Sequence, residues 1–194
     1  MAKARRGRVS RKVRVRAKST PPARGGSAPN AAVARWLVAR VRGTYGRGNW
    51  AGKGVLPSIE GVSADVAHRR HPEQHTIAEL VLHMAYWKDA VAAALTGRPW
   101  QFDDRQNWRA AGPGEAGWAG AKEELAAAQR RLMAALCRFA LPRAMERIRG
   151  RVRVIDVVTD IATHDTYHAA QIFVLRRLPL AGAPTSAGVG LSAD

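Results

Sequence analysis

Apolar residues recur at steps of three and four in four separate stretches of the chain, and glycine or proline stands between the stretches. That period belongs to helices with one buried face, and four of them leave little room for a sheet. The clearest is the second. Thr76-Ile77-Ala78-Glu79 reads as a capping box, Ile77, Leu80, Met84, Trp87, Val91 and Leu95 form the seam, and Gly97 ends the run. The first stretch starts with Asn30 as N-cap and carries Val33, Trp36, Leu37 and Val41. The third spans about Glu115 to Leu141, with Trp118, Ala121, Leu125, Ala128, Leu132, Leu136 and Phe139 on one face. The fourth reads Val157, Ile161, His164, His168, Gln171 or Ile172, and Leu175, and is stopped by Pro179. Four amphipathic helices of comparable length predict an all-α four-helix bundle whose shared interior collects the seams.

Between these helices the chain is loop-like. The segment from Thr44 to Gly52 is glycine-rich and holds Tyr45 and Trp50, of which the tryptophan is expected either to cover a site or to cap the core. Leu56 to Asp65 reads as a short helix. The polar run from Ala67 to His75 has three histidines but no apolar face, and Pro72 interrupts it, so it reads as a solvated loop. Gly97 to Gly114 is long, with Trp100 and Trp108 as aromatic anchors, and that length points to a functional loop or lid.

Charge divides the chain. Of a net +17, residues 1–29 supply ten Lys or Arg and no acid, which leaves 22 basic against 15 acidic residues, or +7, for the rest. Three units follow: a disordered basic tail at 1–29, a helical bundle at 30–178 and a flexible tail at 179–194. The basic tail could contact the phosphates of a nucleic acid, or act as a transit-like segment. No apolar stretch is long enough to span a membrane, and no apolar core follows the basic residues as a secretory signal requires. The single cysteine, Cys137, rules out a disulfide framework and reads as a small core residue; a cytoplasmic location fits.

His164 and His168 lie four apart on the fourth seam and so stack on one inward face, the spacing by which a helix holds one metal ion. Neutral imidazoles can also pack in a core, so the pair alone leaves the choice open. His83, on the seam of the second helix, is the third candidate ligand. Three inward histidines without an ion would each need separate polar partners, which is costly. An open three-histidine site is of the catalytic kind, and imidazole ligands suit zinc or nickel. Asp160, Glu79 and Gln171 are the polar groups one turn from the histidines by spacing. No phosphate loop, nucleotide fingerprint or nucleophile elbow is present.

The run from Thr76 to Trp87, taken with His164-Asp165-Thr166-Tyr167-His168-Ala169-Ala170-Gln171-Ile172, resembles the DinB/YfiT-like superfamily of bacterial metal-binding helical bundles. The similarity extends from about Ala31 to Arg177. The resemblance implies a four-helix bundle, often a homodimer, with a divalent ion held by His83, His164 and His168. It also implies thiol-dependent transferase or isomerase chemistry with a low-molecular-weight thiol; with the open three-histidine site, the expectation is a metal-dependent thiol transferase or hydrolase acting on a small-molecule substrate. A metal-holding binding module whose basic tail reaches nucleic acid or an acidic partner is the alternative. The basic extension at 1–29 lies outside the resemblance.

Overall fold

The computed structural model describes residues 28–140, 143–148 and 152–179. Four long helices, α1 (Ala28–Tyr45), α4 (Ile77–Thr96), α6 (Gly114–Ala135) and α7 (Val154–Leu175), make the expected bundle. Three short ones, α2 (Val55–Ile59), α3 (Ala64–Ala67) and α5 (Asp104–Asn107), lie in the connections. Two small antiparallel hairpins, β1 (Gly48–Asn49) with β2 (Gly52–Lys53) and β3 (Arg147–Ile148) with β4 (Val152–Arg153), complete the described chain. The central pair is α4 and α6; α7 packs on α4, and α1 on α7.

The sequence rules that start and stop α4 are realised in full. Thr76 Oγ1 accepts from the Glu79 N–H at 3.1 Å, and Glu79 Oε2 accepts from the Thr76 N–H at 3.0 Å. At the other end Gly97 takes a left-handed conformation (φ 68°), which a residue with a Cβ adopts only with strain. Thr76→Ala is expected to cost about 1 kcal/mol, read as a lower urea midpoint with an unchanged slope.

α4 is flanked by α6 and α7, so its first two and a half turns are buried on every side, from Ile77 through Ala85. α6 buries one stripe, Trp118, Ala121, Leu125, Ala128 and Leu132, as its period predicts. Trp118 is fully enclosed and its indole N–H donates to the Val62 carbonyl at 2.8 Å. Burial of such a side chain without that bond would leave a polar group unpaired.

Several expectations need correction. α1 begins at Ala28, so Asn30 lies inside the helix rather than capping it. Its buried stripe is Ala34, Leu37, Val41 and Thr44, and Trp36 is half exposed. The third helix keeps α geometry to Ala135 and continues as one π turn, Leu136–Ala140, which changes the phase of its last residues. Cys137 is on the outside of that turn, so it is exposed and not a core residue. The Leu56–Asp65 stretch is two short helices, not one. Trp50 sits at the tip of the first hairpin, 95% exposed, and covers nothing among the described residues. The backbone there doubles back so tightly that a Cβ on Gly48 would come within 2.1 Å of the Gly52 carbonyl oxygen.

The expected loose segments at 1–29 and 179–194 fall on residues outside the described ones, apart from Ala28 and Pro29, which open α1, and Pro179. Phe139, expected on the third seam, has its side chain outside the description too. No helix among the described residues is long and apolar enough to cross a membrane.

Candidate metal centre

Helix packing turns the 81-residue gap between His83 and His164 into direct contact. His83 comes from the second turn of α4, and α7 supplies His164 and His168 from one face. Their Nε2 atoms converge: His83 to His164 is 3.1 Å, and His164 to His168 is 3.1 Å. One ligand atom from each ring lies within 4.8 Å of the others. His83 and His168 are buried and His164 is partly so.

The opposite ring nitrogens decide where the protons are. His83 Nδ1 faces the carbonyl oxygen of Asn107 at 3.1 Å, and a carbonyl only accepts, so this nitrogen carries the hydrogen. His168 Nδ1 donates to Gln171 Oε1 at 2.6 Å, and Gln171 Nε2 in turn donates to the Tyr167 hydroxyl at 3.2 Å. Both rings therefore aim an unprotonated Nε2 at the common point. His164 Nδ1 is buried without a partner among the described residues. Burial holds all three rings neutral: it lowers His83, takes His164 down to about 3, where its two neighbouring imidazoles and Lys88 add to the effect, and takes His168 down to about 4 against the opposing bond to Gln171.

This donor set has a surplus of lone pairs. If His164 brings its own hydrogen on Nε2, that hydrogen can serve one neighbour, and the lone pair of the other finds no donor within the group. A cation at the point of convergence satisfies all three nitrogens at once, so the residues fit a divalent ion.

The long loop before α6 closes over this group. Asn107 ends α5 and is buried, and Trp108 stacks on His83 with ring centroids 3.7 Å apart and planes within 6°. His75 stacks on the same indole, also at 3.7 Å, so three rings run parallel. Beside them a cavity of about 240 Å³ is bounded by Glu73, His75, Trp108, Tyr167, His168 and Gln171. The expected loop at 67–75 is therefore more than a solvated connection. His71 is buried within it, and His75, Gln74 and Glu73 wall the cavity, with Glu73 in a left-handed conformation (φ 55°). The segment is no helix, as Pro72 predicts, but it folds back so that His75 lies on Trp108.

Of the three groups placed near the histidines by spacing, Gln171 alone contacts one. Asp160 is exposed. Glu79 is turned toward the start of α4, where Arg70, the Thr76 N–H and His75 (3.4 Å) surround it. Burial pushes the Glu79 carboxyl up, but those partners outweigh it and hold the group below its ordinary value of 4.5. A folded value below the unfolded one means that stability is present above pH 4.5 and is lost as pH falls through the folded value. Urea midpoints measured from about pH 6 to pH 3 should fall more steeply for the wild type than for Glu79→Gln.

The sequence reading missed a second polar cluster just inside the histidines. Lys88 Nζ and Asp165 Oδ2 meet at 2.6 Å with neither side chain exposed. Thr44 Oγ1 lies 3.5 Å from the same oxygen, and the Tyr45 ring sits 5.4 Å from the ammonium. Burial pushes the Asp165 carboxyl up; Lys88 and Thr44 pull against it. The signal was available: Lys88 falls four residues after Met84, and Asp165 four after Ile161 and four before Ala169, all buried. A charge of each sign on adjoining apolar faces has to be paired.

Compared with known families, residues 50–172 match the sequence profile of the DinB superfamily, which is more than half of the chain. No curated protein and no solved structure matches the chain significantly. The chain belongs to the DinB superfamily.

Proposed function

We propose that this DinB-superfamily chain is a divalent-metal-dependent enzyme in which His83, His164 and His168 hold one ion, zinc or nickel, and in which a small molecule reacts at the positions the protein leaves open. The observation that carries the reading is the convergence of three Nε2 atoms while the Nδ1 atoms of His83 and His168 are already committed as donors. Partners of that kind fix the ring tautomer and raise ligand basicity. An ion with three histidine ligands acidifies a water or a low-molecular-weight thiol at its open positions and so supplies a nucleophile near neutral pH.

The chain's own residues have distinguishable tasks around that chemistry. Asn107 and Gln171 orient two of the imidazoles. Trp108 covers one face of His83 and keeps bulk water from that side. The Tyr167 hydroxyl, which accepts from Gln171, keeps its own hydrogen to donate, and it borders the cavity together with His75. The cavity next to His168 gives a small substrate a place to lie. Both thiol transfer and hydrolysis are within reach of such a site, and they differ in which nucleophile it takes.

Protein purified without added metal should carry about one zinc or nickel ion per chain. Removing the ion should lower thermal stability, and restoring it at a hundred times its dissociation constant should return about 2.7 kcal/mol. A screen of low-molecular-weight thiols with electrophilic acceptors, run beside an ester-hydrolysis screen, assigns the reaction class. Metal-dependent turnover that needs the thiol identifies a transferase; turnover without it identifies a hydrolase. Metal-free protein with unchanged melting on addition of zinc or nickel would contradict the reading.

A further inference from the structure

The Lys88–Asp165 pair occupies a particular place in the bundle. Lys88 stands five residues beyond His83 on α4, and Asp165 directly follows His164 on α7, so the pair ties together the same two helices that supply the histidines. Among the described residues it is the ion pair with both side chains fully enclosed. Asp165 Oδ1 is also buried, with no partner among the described residues, where the carboxylate depends on Lys88 and Thr44.

One turn to either side of the pair, Met84 and Ile161 stand with four buried alanines, Ala85 and Ala92 on α4 and Ala162 and Ala169 on α7, and small side chains make shallow ridges that define the sliding position of two helices weakly. An enclosed, hydrogen-bonded pair behaves differently, because a shift of one helix by a turn would leave two desolvated polar groups without each other.

We infer that Lys88 and Asp165 form a positioning pair that fixes the register of α4 against α7 and thereby brings His83 onto His164 and His168. The inference rests on the proposed metal centre. It separates two roles that are otherwise alike. A pair that only adds stability can be exchanged for apolar side chains with no effect on the histidines; a pair that sets register cannot.

The test uses the full-length protein, cobalt(II) as the probe, its visible absorption as the readout of ligand geometry, and urea midpoints as the readout of folding. In Lys88→Met/Asp165→Leu the midpoint should stay near or above that of the wild type, while cobalt(II) affinity falls roughly 10–100-fold and the absorption bands change. Lys88→Gln/Asp165→Asn keeps hydrogen-bonding groups at both positions without charge, and should bind cobalt(II) close to the wild-type affinity even if the apolar pair fails to fold. Equal affinity and spectra in the wild type and both variants overturn the inference. So does an equal loss in both, which would trace the effect to the missing charge and not to register. A wild type that takes up no cobalt(II) overturns the reading of the centre itself, and this inference with it.

Discussion

Replacing His168 by alanine is expected to remove the divalent ion from the protein while leaving the bundle folded. The side chain supplies one of three converging nitrogens, and its Nδ1 ties the centre to Gln171 and Tyr167, so its loss takes away a ligand and a support together. Two imidazoles from different helices remain, and neither is in a position to replace it. The loss in zinc affinity should be at least about a hundredfold, or roughly 2.8 kcal/mol, measured by calorimetric titration. Far-ultraviolet circular dichroism should be unchanged, because the metal-free rings are held close at an energetic cost that alanine relieves. Wild-type stoichiometry and affinity in His168→Ala would remove the histidines from the role given to them.

The largest expected effect on folding belongs to Lys88→Met. The substitution keeps the length and apolar stem of the side chain but takes the paired cation from the enclosed Asp165 carboxylate, one oxygen of which has no partner among the described residues. Breaking a buried pair from one side costs about 3–5 kcal/mol, a large part of the 5–15 kcal/mol that holds a typical domain together. Urea unfolding should show the drop in midpoint. The double variant Lys88→Met/Asp165→Leu should recover most of it, since it removes the unpaired charge along with the pair. A single variant as stable as the double would mean that Asp165 finds another partner.

The four long helices and the three histidines were readable because both depend on the same period. A capping box, a seam and a terminal glycine define α4 from Thr76 to Gly97, and His83 sits on that seam. The four-residue step does the same for His164 and His168. What lay beyond reach depends on partners that no local pattern specifies. The acceptor for His83 is a backbone carbonyl, that of Asn107, and any residue type could provide one. Trp108 was visible as an anchor in a long loop, but only the fold shows that it stacks on His83 and His75. Trp36 and Trp50 misled because large aromatics were assumed to be covered; one faces outward from α1 and the other tips a hairpin. Lys88 and Asp165 were passed over because a scan for apolar period skips the charged positions on the stripe, which here carry the most information.

Whether the three histidines hold an ion is decided by anomalous X-ray diffraction from crystals grown with zinc, recorded on both sides of the zinc absorption edge. One anomalous peak per chain is expected, about 2.0–2.1 Å from the Nε2 atoms of His83, His164 and His168. Zinc peaks elsewhere on the chain, with none between these three rings, would contradict it.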